Sequence, residues 1–328
     1  MKELRELSYA EAIREALSQS MELCPDVVLM GQLVNYRSGI FGTTTGLVEK
    51  FGEKRVLDFP VAESLMTSKA IGAALTGIRP VLVHQRQDFM IYSLDAIVNW
   101  MALWRFKSNG QATMPVVIRT IVGKGWGQGP QHSKSLHAWF SHIPGLRVAI
   151  PATAYDIKGL LLESILGENP VIFVENRSLF SMKDNVPKEP YRVRFGKGTI
   201  RRTGSDITLV AIGSMVPLAL RVAEKLATES IQVEVIDPRT ISPLDTELIF
   251  QSLRKTRRLA VADPAWEFGS ISAEVIAQAS SAMAREMRCN PIRITYPDSH
   301  TPASRKLEDV YYPSEDVFAQ KIRAAVLE

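Results

Sequence analysis

The chain has 328 residues, 46% hydrophobic and 23% charged, so it is long enough to bury two ordinary hydrophobic cores. No apolar run approaches the roughly 18 residues that a membrane span needs. Stretch 1–17 is charged, has a helical period and shows no signal-peptide pattern, which predicts a cytoplasmic protein. The net charge of +4 is only mildly basic, and the densest basic run, RKTRR at 254–258, contains no aromatic residue, so a nucleic-acid surface is not expected.

Short Val- and Ile-rich segments recur through the first half of the chain, and helical periods separate them. They are 27–31, 55–60, 79–84, 114–122, 146–151 and 170–175. Continuous apolar strands that alternate with helices are typical of a parallel sheet covered on both faces. The sequence therefore predicts an α/β domain over residues 1–180.

A second domain follows a break in this pattern. Between 176 and 198 the periodicity is lost among prolines and charged residues, which predicts an exposed linker at 181–198. The alternation then resumes at 206–213, 231–238, 258–264 and 291–297. We therefore expect two α/β domains with mainly parallel sheets, the second over residues 199–328.

The two cysteines, Cys24 and Cys289, are far apart in the sequence and show no CxxC spacing. Neither a disulfide framework nor a zinc site is supported by that spacing. Both side chains are predicted to be buried thiols.

A carboxylate stands out in the stretch VLDFPVAES at 56–64, which predicts a buried strand that stops near Pro60 and a helix with Glu63 in its first turn. An acid at this position complements the helix dipole, and that is one interpretation of Glu63. The other is functional. Apolar neighbours would leave little water around the carboxylate, which could then share a proton with a ligand nitrogen.

A run of polar residues, HQRQDFM at 84–90, follows the predicted strand 79–84. Polar groups at a strand end are costly to bury unless they line a ligand site or a subunit interface. Both interpretations stay open on the sequence alone. Phe89, the aromatic residue of the run, is either a core residue or a platform for a cofactor.

A glycine-rich stretch, GKGWGQGPQHS at 123–133, follows the strand predicted at 114–122. It matches neither GxGxxG nor a GK[ST] phosphate loop, so a dinucleotide site is unsupported. It predicts a close-approach loop that brings His132 to the carboxyl edge of the sheet, for acid–base chemistry or as a structural histidine. His137 and His142 are interpreted as helix and packing residues.

Several blocks of the chain carry a family resemblance. They are GEKRVLDFPVAESLMTSKAIGAALTGIRPV, GPQHSKSLHAWFSHIPGLRVAIPATAYDIKGLL, NPVIFVEN and VIDPRTISPLD. In content and order they resemble the β subunit of the thiamine-diphosphate-dependent decarboxylase component of 2-oxo acid dehydrogenase complexes, of the pyruvate, branched-chain or acetoin type. The resemblance covers nearly the whole chain. It implies a transketolase-like pyrimidine-binding domain and a transketolase-type C-terminal domain.

The resemblance implies roles for individual residues. Glu63 matches the family's acid that hydrogen-bonds N1′ of the cofactor's aminopyrimidine and thereby activates the thiazolium C2 for attack on a 2-oxo acid. Phe89 matches the aromatic residue that stacks on the pyrimidine. His132 matches the histidine that faces the substrate. We expect Gln85 and Gln32 to contribute to cofactor binding as well.

A missing motif implies partners. The superfamily holds the cofactor diphosphate through Mg²⁺ on a Gly-Asp-Gly stretch, and GDG does not occur in this sequence. The resemblance therefore implies thiamine diphosphate as cofactor, with the Mg²⁺ ligands supplied by a separate α subunit. It also implies an α₂β₂ heterotetramer with a β–β dimer. Docking to a lipoyl acyltransferase core is not decided by any motif.

Three departures from the family pattern keep an alternative function open. Gln32, in GQLV, replaces an acid of a proton network between the paired active sites, and HQRQD at 84–88 replaces an apolar run. HTPAS at 300–304 replaces PMPYA. A polar pocket would suit a transketolase-like carboligase that acts on a polar acceptor.

A third interpretation, a non-catalytic partner subunit, is disfavoured because Glu63, Phe89 and His132 occur together. In the second domain, which we expect to serve dimerisation and to frame the site, Arg239 and Asp263 are weaker candidates for a functional role.

Overall fold

The computed structural model of the protein describes residues 4–124 and 127–327. The chain divides into two compact units. The first comprises the residues up to Gly123 together with Trp139–Phe195, and the second comprises Lys124–Ala138 together with the residues from Gly196 onward. Within the described ranges, no helix is both long enough and apolar enough to cross a membrane.

The regular elements alternate along both units, as the sequence predicts. The strands are β1 (Leu4–Ser8), β2 (Val27–Gly31), β3 (Val56–Asp58), β4 (Arg79–His84), β5 (Val117–Val122), β6 (Arg147–Ala149), β7 (Val171–Asn176), β8 (Lys183–Pro187), β9 (Thr199–Arg202), β10 (Ile207–Ala211), β11 (Val233–Asp237), β12 (Thr240–Ser242), β13 (Leu259–Trp266) and β14 (Ile292–Tyr296). The α-helices are α1 (Tyr9–Leu23), α2 (Gly39–Gly42), α3 (Leu47–Phe51), α4 (Glu63–Leu75), α5 (Gln87–Met90), α6 (Trp104–Lys107), α7 (His137–Ser141), α8 (Ala154–Ile165), α9 (Met215–Ala227), α10 (Thr246–Thr256), α11 (Ile271–Met283), α12 (Arg305–Tyr311) and α13 (Glu315–Leu327).

The first unit is built on a parallel sheet whose strands lie in the order β3, β2, β4, β5, β7 and β6. Fully buried apolar side chains such as Leu29 and Phe173 form its core, and helices α1 and α8 pack against each other beside it. Because these strands are parallel, the chain leaves each of them at the same edge of the sheet. Residues just after β2, β4 and β5 therefore meet at one carboxyl edge, where open α/β sheets bind ligands.

The second unit holds a sheet in the order β14, β13, β10, β11 and β9. The strands are parallel except β9, which runs antiparallel at the edge. The chain passes from β10 to β11 and later returns to the other side of β10 as β13. The point between β10 and β13, where the direction of winding reverses, is the crevice that binds ligands in sheets of this type.

The predicted fold class is confirmed, and a strand occurs at each of the ten predicted strand positions. The helical pattern expected over 1–17 is wrong in its first part. Ser8 accepts a hydrogen bond from the backbone of Glu11, and the Glu11 side chain binds back to Ser8, so the helix begins at Tyr9. Residues Leu4–Ser8 are strand β1 instead.

The predicted linker at 181–198 contains a strand. Residues Lys183–Pro187 pair antiparallel with β1, and the side chain of Val186 is fully buried. Part of this stretch is therefore ordered structure of the first unit, although the boundaries 1–180, 181–198 and 199–328 stay a prediction.

The prediction of buried thiols is wrong, because Cys24, at the end of α1, and Cys289, in the loop before β14, are both partly exposed.

A charged pair lies inside the first sheet. Arg119 on β5 donates from Nε to Oε1 of Glu175 at 2.5 Å and from Nη2 to Oε2 at 3.0 Å, and both side chains are 0% exposed. The paired geometry gives each desolvated charge a counter-charge. The sequence analysis did not single out either residue, although a charge within an apolar strand is a readable signal.

We expect Arg119→Leu to lower the free energy of unfolding by about 3–5 kcal/mol, because it leaves the Glu175 carboxylate buried without a counter-charge. Urea denaturation of the full chain measures this loss. The matched control is the double variant Arg119→Leu/Glu175→Leu, which removes both charges and should recover most of the stability. A single variant as stable as the wild type would contradict the prediction.

Candidate active site

Three of the predicted site residues are joined by hydrogen bonds in the first unit. The side-chain amide of Gln32 donates to Oε1 of Glu63 at 3.3 Å, and the amide of Gln85 donates to the backbone oxygen of Gln32 at 3.4 Å. All three side chains are half-buried. The structure thus brings Gln32, Gln85 and Glu63 together at one edge of the sheet.

The strand ends explain this convergence. Gln32 directly follows β2, Gln85 directly follows β4, and Glu63 begins α4 shortly after β3. Gly31, the last residue of β2, has φ +149°, and a Cβ there would lie 2.6 Å from the backbone oxygen of Val83. Only glycine allows this approach, which sets the close spacing between the ends of β2 and β4.

An aromatic ring lies on a neighbouring element. Phe89 is on α5, which contacts α4, and it is half-buried. Among the described residues, Gln32 is the donor to Oε1 of Glu63, and none donates to Oε2. A free carboxylate oxygen and a half-exposed ring fit a ligand that combines a hydrogen-bonding nitrogen with a flat aromatic face.

The water-poor setting expected for Glu63 is not present within the single chain. Its apolar neighbours Val61 and Leu65 are 79% and 48% exposed, and Glu63 itself is half-buried. The apolar residues are where the sequence predicts them, but they face outward from this unit. Covering them requires a surface that this unit does not provide.

The polar run 84–88 is mostly internal. His84, Arg86, Gln87 and Asp88 are buried, whereas Gln85 is half-buried. The Nε2 atom of His84 lies 3.1 Å from the Thr67 hydroxyl, which donates in turn to Ser93 at 2.9 Å. Within the single chain, four of the five side chains are therefore internal, and the two interpretations of the run, a ligand site or a subunit interface, stay predictions. Gln85 is the residue of the run that reaches the surface.

Burial lowers the pKa of His84 to about 4 from an ordinary value of 6.5. Between these pH values the unfolded chain binds a proton that the folded chain does not, so the free energy of unfolding falls as the pH drops from about 6.5 to about 4. The full loss is about 3 kcal/mol, at 1.4 kcal/mol per pH unit. Urea denaturation from pH 7 to pH 4.5 measures it.

The variant His84→Gln should flatten this pH dependence, because glutamine does not titrate. The matched control is His142→Gln, which removes an exposed histidine and should leave the slope unchanged. Equal slopes for His84→Gln and the wild type would show that other groups cause the acid sensitivity.

His132 lies in the second unit, after the short 3₁₀ turn Gly129–Gln131, and is half-buried. The glycine loop that precedes it is a close-approach loop, as predicted. Gly127 and Gly129 both have φ +65°, and a Cβ on Gly127 would lie 2.8 Å from the backbone oxygen of Ala303. Gly125 and Trp126, also part of the predicted loop, lie outside the described residues.

Arg239 and Asp263, the weaker candidates of the second domain, both take part in hydrogen bonds within that domain. Asp263 is fully buried and hydrogen-bonds His137, at 2.8 Å between Oδ1 and Nε2. Arg239 has φ +61°, unusual for a residue with a side chain, and its backbone N–H donates to Asp237 at 2.9 Å. The sequence analysis treated His137 as a packing residue and missed its link to Asp263. His142 is exposed just after α7, so its predicted packing role is wrong.

Comparison with known proteins decides the family. Residues 5–183 match the transketolase pyrimidine-binding domain, and residues 196–317 match the transketolase C-terminal domain. Over 324 residues, and 95% of both chains, the sequence is 38% identical to acetoin:2,6-dichlorophenolindophenol oxidoreductase subunit beta of Bacillus subtilis. The chain belongs to the family of acetoin and pyruvate dehydrogenase β subunits. It is also 35% identical to pyruvate dehydrogenase E1 component subunit beta of the same species, over 95% of this chain and 96% of the relative.

A solved structure confirms the fold of this β-subunit family member. The structure described as "split gene transketolase, inactive beta4 tetramer" superposes with a TM-score of 0.78 at 22% identity, and covers 98% of both chains. At that identity the likeness concerns the fold alone. The resemblance stated from the sequence, including its two-domain composition, is confirmed by the family matches.

Proposed function

We propose that the chain is the β subunit of a thiamine-diphosphate-dependent 2-oxo acid dehydrogenase that decarboxylates its substrate and passes the acyl group to an acceptor. The observation that carries the proposal is the hydrogen-bonded set of Gln85, Gln32 and Glu63 at the carboxyl edge of the sheet, in a chain that aligns along 95% of its length with acetoin and pyruvate dehydrogenase β subunits.

Thiamine diphosphate, when bound, supplies a nucleophilic carbon that attacks a carbonyl group. Glu63 would hold a proton at the ring nitrogen of the aminopyrimidine, and Gln32, which donates to its Oε1, would orient the carboxylate. The ring of Phe89 binds the flat face of the same heterocycle. His132 holds or moves a proton at the substrate oxygen. Gln85 fixes the backbone that carries Gln32.

With glutamine instead of an acid at position 32, the site has one ionisable side chain fewer. An amide donates a hydrogen bond but does not ionise, so Gln32 orients Glu63 and cannot relay a proton. Communication between paired active sites by a chain of acids is therefore not expected through this residue.

The proposal includes partners. The described residues contain no group of three or more His, Cys, Asp or Glu side chains placed to hold a metal ion. We propose that an α subunit provides the Mg²⁺ ligands and covers the exposed Val61 and Leu65 in an α₂β₂ heterotetramer with a β–β dimer. A lipoyl acyltransferase core as acyl acceptor and a cytoplasmic location also stay predictions.

Acetoin is a second candidate substrate, because two relatives at 38% identity are named for it. Pyruvate dehydrogenase β subunits are 34–37% identical, so sequence identity does not separate the two. Both substrates present a carbonyl carbon beside the bond that breaks. The same roles of Glu63 and His132 serve either one.

The test is reconstitution of the chain with its α subunit, thiamine diphosphate and Mg²⁺. A panel of 2-oxo acids and acetoin is supplied with 2,6-dichlorophenolindophenol as electron acceptor, and mass spectrometry identifies the products. Reduction of the dye with release of a carboxylic acid supports the proposal and names the substrate. If a product forms only when an aldehyde or keto-sugar is added, the carboligase alternative replaces it.

A further inference from the structure

Residues 124–138, which we call the inserted segment, belong to the second unit although the chain enters them from β5 of the first. The segment carries His132 and ends close to His137. Its place in the second unit raises the question of what holds it there, because it forms no strand within its described residues.

The imidazole of His137 holds one end. Its Nε2 lies 2.8 Å from Oδ1 of Asp263, and both side chains are 0% exposed. The other carboxylate oxygen of Asp263 accepts from the backbone N–H of Ser272 at 3.0 Å. Asp263 is therefore held by its place in β13 and by Ser272 even without His137, which makes it a rigid anchor.

The second nitrogen of His137 is also engaged. Nδ1 lies 2.9 Å from the hydroxyl of Ser135. A carboxylate only accepts hydrogen bonds, so Nε2 carries a proton, and the rotatable hydroxyl of Ser135 satisfies Nδ1. Both ring nitrogens thus have partners, which fixes the orientation of the ring in the core.

The anchor lies at the ligand-binding crevice of the second sheet. The ladder between β10 and β13 ends at the pair Ala211 and Ala262, and Asp263 is the next residue of β13. This is the switch point between β10 and β13, where open parallel sheets bind small molecules. Here the crevice receives a side chain of the protein itself, so the sheet's binding site is used to hold the inserted segment.

The other end of the inserted segment is held as well. Gly127 and Gly129 lie directly against Ala303, where added side chains would collide. The ammonium group of Lys124 lies 4.7 Å from the centre of the Tyr312 ring. His132 falls between these contacts and His137, so fixing both ends restricts where His132 can lie.

We propose that His137 is a positioning residue whose hydrogen bond with Asp263 clamps the inserted segment to the second sheet and thereby orients His132. The part that concerns His132 rests on the proposed function, in which His132 acts on the substrate. The clamp itself is a property of the fold and can be measured in the full chain without any substrate.

The first experiment compares hydrogen exchange of the full-length wild type and His137→Ala by mass spectrometry. Loss of a hydrogen bond to a charged partner should speed exchange of peptides within 127–138 roughly tenfold or more, with the rest of the second unit unchanged. His137→Gln, whose amide still reaches Asp263, should restore slow exchange. Unchanged exchange in His137→Ala would overturn the clamp. If that variant does not fold, His137→Asn, whose amide ends short of Asp263, replaces it.

The second experiment places His137→Ala and His132→Ala in a double-mutant cycle in the reconstituted enzyme. We expect His137→Ala to lower kcat roughly 10–100-fold with little change in KM. In the His132→Ala background it should cause no further loss, because it acts through His132. Additive losses would overturn the positioning role. Full activity of His132→Ala would instead refute the proposed role of His132, while the exchange result would still decide the clamp.

Discussion

The Glu63→Gln variant is expected to lose roughly 10²–10⁴-fold in kcat in the reconstituted complex, because an amide cannot hold a proton at the ring nitrogen of the cofactor. The fold should tolerate the change. Glu63 is half-buried, and among the described residues its side chain accepts a hydrogen bond from Gln32. The charge lost from the first turn of α4 accounts for only about 0.3–1 kcal/mol of stability.

The direct measurement is exchange of the cofactor's C2 proton for deuterium, followed by NMR in the complex of α and β subunits. We expect exchange to slow by the same order as kcat, since Glu63 acts before substrate enters. The matched control is Glu274→Gln, which removes an exposed acid from the first turn of α11, a helix of 13 residues like α4. That variant loses a similar dipole interaction and should exchange at the wild-type rate.

The outcome separates the two interpretations of Glu63. If Glu63→Gln exchanges the C2 proton as fast as Glu274→Gln, Glu63 only complements the helix dipole. If exchange slows in Glu63→Gln alone, the carboxylate takes part in activating the cofactor. Gln32→Ala then tests orientation, because it frees Oε1 of Glu63 while leaving the carboxylate in place.

Ten strands were predictable from sequence because each is an apolar run bounded by turn residues. Segments such as 27–31 and 79–84 are buried along almost their whole length, so hydrophobicity alone reveals them. Strands β1, β8, β9 and β12 were not predicted. The sequences of β1 and β8, LRELS and KDNVP, carry charges, and among the described residues these two strands form a small sheet of their own.

The sequence predicts which strand ends carry the site residues, but it does not predict which of these residues contact one another. The positions of Gln32 and Gln85 after their strands follow from periodicity, whereas their hydrogen bonds depend on the glycine at position 31 and the spacing it permits. The polar run at 84–88 was placed at the correct edge. Whether its side chains face a ligand or the interior depends on partners such as Thr67, which no local pattern reveals.

The contact between His137 and Asp263 shows the limit most clearly. The two residues are 126 positions apart in the chain, and the local sequence around either one does not indicate the other as its partner. Sequence periodicity describes how an element faces its neighbours, but not which loop enters which sheet. The assignment of 124–138 to the second unit therefore required the folded chain.

The His132→Ala variant is expected to lose roughly 10²–10⁴-fold in kcat, the range for loss of a general acid or base. Because His132 is half-buried on the inserted segment and its backbone N–H donates to Gly129 at 3.4 Å, removal of the ring should leave the loop backbone in place. The matched control is His142→Ala, which removes an exposed histidine outside the inserted segment.

Comparison with Glu63→Gln makes the assignment of His132 specific. If Glu63 serves cofactor activation and His132 serves the substrate, His132→Ala should exchange the C2 proton at the wild-type rate while turnover is lost. Slow exchange in His132→Ala would instead mean that the loop disturbs the cofactor, and wild-type turnover would make His132 a structural residue. Normal exchange of the C2 proton together with lost turnover would show that His132 transfers its proton after the cofactor is activated, at the atoms of the substrate.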